Sequence, residues 1–274
     1  MQRFFAFPLV RIVLVVALFA IPVTAGRLFS RQAHGTWGNI ALTWFLALSL
    51  FAIVALVERF AAGRSIAQIG FPRKNAVRDF ALGLLIGAAL FCAVIVQLAV
   101  TGHYHVDAVH VTSDLAIAAL VFLPGAAIEE LLFRGVLFRL LEEWSGTWIA
   151  LAVSAALFGL AHLANRGATA ESALAIALEA GVLLGLAYIA TRSLWLPIGL
   201  HFAWNYCEGP IFGTSVSGHA VLASAVSAHV DGPAWLTGGA FGPEAGICAI
   251  LTSLVASAAF LLYARRFPAR SFDV

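Results

Sequence analysis

Apolar residues run almost without interruption through eight stretches of this chain, near residues 10–26, 40–57, 79–100, 115–141, 147–163, 174–190, 194–207 and 245–263. None alternates every second residue, so they are not strands of a membrane barrel. A bilayer crossing takes about 20 residues of helix. The pattern therefore predicts an all-α, polytopic membrane protein with about eight transmembrane helices. The fifth and seventh stretches are short. The seventh also carries Pro197, His201, Asn205 and Glu208, which leaves its limits the least defined. A proline four residues before His201 frees a backbone carbonyl and predicts a kink there.

The connections read as parts of a single domain, 1–274. Glu58 to Asp79 is a basic link that Gly70-Phe71-Pro72 keeps from being helical. His103 to Asp114 is a short loop with three histidines, read as polar surface. Cys207 to Gly246 has no Lys or Arg and is apolar enough, through Phe212, Trp235, Leu236 and Phe241, to pack back onto the membrane face. Gly83-xxx-Gly87 and Gly181-xxx-Gly185 have the spacing of close helix–helix contacts.

Composition agrees: 62% of the 274 residues are hydrophobic and 11% charged, outside the range of soluble domains. Basic residues cluster on one side. With a cytoplasmic N-terminus, Arg3, Arg11, Arg59, Arg64, Arg73, Lys74, Arg78, Arg134, Arg139, Arg192, Arg265, Arg266 and Arg270 fall inside, and only Arg27, Arg31 and Arg166 outside. The positive-inside rule then places both termini in the cytoplasm. These cations serve topology and lipid headgroups, so the net charge of +2 calls for no nucleic acid. Arg3, Arg11 and Val23-Thr24-Ala25 mimic a signal peptide; with seven spans following, the first is expected to stay uncleaved. Cys92, Cys207 and Cys248 are scattered and suggest neither disulfides nor a thiolate site.

Three polar groups interrupt the central spans. A charge at bilayer depth costs roughly 3 kcal/mol on insertion scales, which marks it as a functional candidate. In Glu129-Glu130-Leu-Leu-Phe-Arg134, Glu130 and Arg134 share a helix face and can pair, while Glu129 points about 100° away and stays available. Phe158-Gly-Leu-Ala-His162 and His201-Phe-Ala-Trp-Asn205 add two imidazoles and a carboxamide. Each group alone fits a structural role. Together they are the parts of an amide hydrolase: a carboxylate base, a water holder and oxyanion donors. One glutamate and two histidines are also a ligand set for zinc, and the spacing leaves that choice open.

EExxxR, FxxxH and HxxxN, in this order on successive spans, resemble the CPBP family, the intramembrane group of CAAX prenyl endopeptidases and bacteriocin-processing or immunity proteins. The resemblance covers roughly 115–207, the expected catalytic core. The long loop, with Gly-Pro-Ile-Phe-Gly and Trp-Leu-Thr-Gly-Gly-Ala-Phe-Gly-Pro-Glu, also looks like an element of bacterial members. The likeness implies an intramembrane endopeptidase acting on a membrane protein or peptide. It implies Glu129 as the water-activating base, His162 as its helper, His201 and Asn205 as the oxyanion pair, and Glu130 and Arg134 in support. No cofactor is favoured; zinc on Glu129, His162 and His201 is the alternative. The Ala- and Arg-rich, nearly Lys-free composition points to a bacterial inner membrane, where prenylated substrates are not expected.

Rival functions are a proton-coupled transporter, against which stands the lack of an inverted repeat, and a non-proteolytic binding or immunity protein on the same scaffold. No HExxH is present, and Gly213-Thr-Ser215-Val-Ser217-Gly218-His219 only superficially resembles a rhomboid serine motif. One tension remains in the span assignment. At about 1.5 Å per residue, His201 sits around 10 Å from the cytoplasmic end of its helix and Glu129 about 18 Å from its own, but His162 roughly 22 Å.

Overall fold

A computed structural model describes residues 5–30, 35–110, 114–221 and 223–267; Arg3, Arg31 and Arg270 lie outside them. Among the described residues eight helices of 12 or more residues follow in order: α1 (Pro8–Ser30), α2 (Thr36–Ala62), α3 (Ala76–Val100), α4 (Asp114–Ser145), α5 (Thr147–Ala164), α6 (Ala170–Thr191), α7 (Trp195–Tyr206) and α8 (Ile247–Arg266). The architecture is that of an all-α polytopic membrane protein. Seven of the eight are long and apolar enough to cross a membrane. The exception, α7, has 12 residues and runs on into the five-residue π-helical turn Cys207–Ile211, together roughly 25 Å of helix against a hydrocarbon core of about 30 Å. Leu56, Leu85, Val96, Val255 and Leu262 are more than half exposed, as side chains that face lipid must be. Exposed Trp37 and Trp235 lie at one end of the bundle and Trp144 and Trp148 at the other, where interfacial belts belong.

Small residues set the closest helix contacts. A Cβ on Gly83 or Gly87 would come within 2.3 Å of the Leu196 carbonyl oxygen or 2.2 Å of that of Leu200, so α3 lies directly against α7. Gly181 brings α6 against the backbone of Ala155 on α5, 2.9 Å from a Cβ placed there, and Gly185 makes room for the Leu151 side chain. Both small-residue pairs therefore do the packing their spacing predicts.

At the end where α1 starts and α2 and α4 finish, buried Arg11 donates to Glu58 at 2.8 Å and to Glu143 at 2.5 Å. Arg139 lies 3.1 Å from Glu58, Arg64 also bonds Glu143, and Arg192 grips Glu142 at 2.5 and 2.9 Å. Arg11 and Arg139 are thus more than topology signals; they tie three helices together. Arg134 departs further from the sequence-based assignment. It lies 1% exposed inside the bundle, not at a helix end.

Two other expectations change. Pro197 occupies the first turn of α7, where its missing N–H is not needed, so it begins the helix and makes no kink beside His201. The histidine-rich loop is not irregular: β1 (Tyr104–Val109) pairs antiparallel with β2 (Val226–Val230), with a bulge between Val106 and Ala108. The bulge aims Asp107 at His229, 2.9 Å away. The long connection does pack back as its composition suggests, burying Phe241 against Phe158 and Ile176.

The depth tension also resolves. Because α4 continues to Ser145, Glu129 lies 16 residues, about 24 Å, from that end, matching His162 on α5. The short α7 is the helix that starts deep, above a plug in which Ile69 is fully buried and the Leu194 N–H bonds the Gly70 carbonyl at 2.7 Å.

Candidate active site

Three π-helical stretches flank the polar residues: Leu131–Phe138 in α4, Ala177–Val182 in α6 and Cys207–Ile211 after α7. Such turns break the regular carbonyl pattern and gather at functional sites. Here the side chain of Arg134 meets the loosened backbone, donating from Nη2 to the carbonyls of Ala180 and Gly181 at 2.9 and 3.2 Å. Its Nη1 donates to Glu130 Oε1 at 2.7 Å, and the guanidinium stands 4.5 Å over the Phe158 ring.

Glu130, fully buried, does a second job. His201 Nδ1 lies 2.9 Å from the same Oε1, so Glu130 fixes the imidazole and turns Nε2 inward. His162 is fixed in the same manner, its Nδ1 lying 2.8 Å from the Phe158 carbonyl. Both Nε2 atoms then face Glu129 Oε2, at 3.8 Å for His162 and 4.0 Å for His201. That oxygen is buried and has no hydrogen-bond partner. The adjacent glutamates therefore divide as their helical angle predicts, one paired and one free.

These side chains share a void. A cavity of about 560 Å³ is lined by Glu129, His162 and Asn205 together with Phe122, Val216 and Ser217. Behind it a pocket of about 20 Å³ touches His162, His201, Asn205, Glu179 and Glu244, room for one water, which needs about 10–15 Å³. All four residues expected to be catalytic border one or both spaces.

The sequence reading missed an acidic layer behind them. Glu179 on α6, Glu208 after α7 and Glu244 in the long connection are all buried. Glu244 Oε1 accepts from the N–H and Oγ of Ser217 at 2.7 and 2.8 Å, and the Glu244 N–H donates to Glu208 Oε1 at 3.2 Å. Burial pushes the Glu244 carboxyl up from the usual carboxylate range. The contact also holds Ser217 at φ 48, a conformation costly for a residue with a side chain. The signal for Glu179 was present, since it is a charge in the apolar middle of a helix.

Zinc fits this arrangement poorly. Neighbouring ligands of a tetrahedral zinc stand about 3.4 Å apart, closer than the 3.8 and 4.0 Å found here. Among the described residues no group of three or more His, Cys, Asp or Glu is disposed to hold a metal ion.

Helices sized for a bilayer, with a carboxylate, two oriented imidazoles and a carboxamide around a shared void, define a polytopic membrane protein with a polar site among its helices. Residues 110–207 match the family model of the Type II CAAX prenyl endopeptidase Rce1-like proteins. The match supports a protease of the CPBP/CAAX family, and the matched segment carries all three polar motifs. Over that segment, about a third of the chain, the protein is similar to CAAX-type intramembrane proteases. No curated protein and no solved structure matches it.

Proposed function

We propose that the protein cleaves a peptide bond of a membrane-associated protein or peptide by direct attack of water. Glu129 is the general base. The gap of 3.8 Å between Glu129 Oε2 and His162 Nε2 is too long for a hydrogen bond, but a water about 2.8 Å from each would bridge it. His162, whose Nδ1 faces the Phe158 carbonyl, accepts a hydrogen bond from that water at Nε2 while Glu129 removes the water's other proton.

Attack on the substrate carbonyl places negative charge on its oxygen. The Asn205 carboxamide and His201 Nε2 are the donors available to it. With Nδ1–H committed to Glu130, a proton on Nε2 completes an imidazolium whose charge the Glu130 carboxylate balances. The proton held by Glu129 then passes to the leaving amine, so the water supplies OH to one fragment and H to the other.

The observation that carries this reading is the unpartnered Glu129 oxygen, one water's width from two pinned imidazoles at the wall of a cavity. Cells expressing the wild type and Glu129→Ala at equal membrane levels test it. New N-termini in membrane proteins should appear with the wild type alone; the same termini with Glu129→Ala would refute it.

A further inference from the structure

The large cavity has a direction. On α4 its wall runs through Asp114, Ile117, Val121, Gly125 and Glu129, three to four residues apart and hence one continuous face of the helix. Facing it are Pro210, Val216, Ser217, His219 and Val221 of the connection after α7. One end is Glu129. The other reaches Asp114 and Thr36, the first residues of α4 and α2.

That mouth lies at the end of the bundle that carries β1, β2 and the long connection. The opposite end holds the network of Arg11, Arg64, Arg139 and Arg192 with its glutamates, and there Lys74 is exposed on the link between α2 and α3. Cations gather on the cytoplasmic side of membrane proteins, which puts the mouth on the other side.

Size and lining narrow the occupant. Among the described residues no Lys or Arg lines the cavity, and the wall between Asp114 and Glu129 is apolar or small. Fifteen helical residues from mouth to base span about 22 Å, the reach of about six or seven residues of extended chain. Gly125 faces open space: a Cβ built on it meets nothing within 4 Å.

We propose that the active-site cavity opens on the non-cytoplasmic face and receives an extended, uncharged, apolar peptide segment of about six or seven residues, laid along α4 from Asp114 to Glu129. The identity of the occupant rests on the protease function; the direction of opening does not. Proteins anchored in the membrane with a short apolar stretch on the outer side are then the substrate class.

Ala118→Cys, on the cavity wall, and Lys74→Cys, at the opposite end, are compared with the parent by labelling with a membrane-impermeant maleimide. Ala118→Cys should label in right-side-out vesicles and Lys74→Cys only in inverted ones. Labelling of Ala118→Cys only in inverted vesicles, or from neither side, overturns the outward opening. Gly125→Leu, which narrows the groove one helical turn from Glu129, should fold normally and lose at least tenfold in cleavage. Full cleavage by Gly125→Leu would show that the groove holds lipid and not the peptide. Because labelling needs no catalysis, correct labelling with no cleavage by the wild type would sink the protease and leave the orientation standing.

Discussion

His201 Nδ1 sits 2.9 Å from Glu130 Oε1 while its Nε2 faces Glu129 across 4.0 Å. Two sequence-adjacent carboxylates thus act on opposite nitrogens of one ring, the first orienting it and the second sharing its workspace. Glu130→Gln keeps the shape and removes the charge behind the imidazole. Losing a hydrogen bond to a charged group, worth about 1.5–3 kcal/mol, should lower kcat about 10- to 100-fold at equal folded amounts, beside a loss of stability because buried Arg134 loses its counter-charge. A kcat equal to wild type would separate Glu130 from catalysis.

Arg134 has a structural task beyond that pair. Arg134→Met leaves Glu130 as an uncompensated buried charge and frees the carbonyls of Ala180 and Gly181. The expected destabilisation is about 3–5 kcal/mol, read by thermal or denaturant unfolding in detergent. Glu130→Gln in the same chain should recover part of the loss.

Contact between α3 and α7 sets where His201 stands. Gly87→Leu would drive a side chain into the Leu200 carbonyl, 2.2 Å from the nearest possible Cβ, forcing the helices apart and sharply lowering folded yield. Leu85→Ala, two residues away on the lipid face at 68% exposure, should leave yield nearly unchanged. Size-exclusion profiles after purification compare the two.

The β1–β2 cap carries a pH dependence. The hydrogen bond to Asp107 raises the His229 pKa above its ordinary value. A raised folded-state pKa means stability fully present below about pH 6.5 and lost as pH rises through the folded value. Amide protection in β1 and β2, corrected for the intrinsic base-catalysed exchange rate, should therefore be greater at pH 5.5 than at pH 8, and His229→Gln should abolish that difference in protection.

Metal removal bears on the mechanism. If side chains and water suffice, 1,10-phenanthroline or EDTA followed by gel filtration leaves cleavage unchanged, and elemental analysis finds zinc far below one per chain. Activity lost on chelation and restored by zinc would place an ion among Glu129, His162 and His201.

Much of this was legible in the residues. Span limits came within a few residues because lipid demands unbroken apolar helices. The split between Glu129 and Glu130 followed from a 100° turn, and Gly83, Gly87, Gly181 and Gly185 mark the close helix pairs. What escaped depends on tertiary placement. Pro197 reads as a kink until the start of α7 is known. The pairing of β1 with β2 joins segments more than a hundred residues apart, and the burial of Glu244 depends on a loop folding back to Ser217. Arg134 looked like an inside cation, because a sequence does not reveal the π-turn carbonyls that receive it.

The most direct measurement is the cleavage rate of Glu129→Gln against wild type, reconstituted at equal folded amounts in liposomes with a substrate found by the N-terminus comparison. Glutamine keeps the volume at 129 but cannot take a proton from water, so the rate should fall by about 10²–10⁴-fold with unfolding temperature unchanged. A rate within a few fold of wild type would contradict water activation by Glu129.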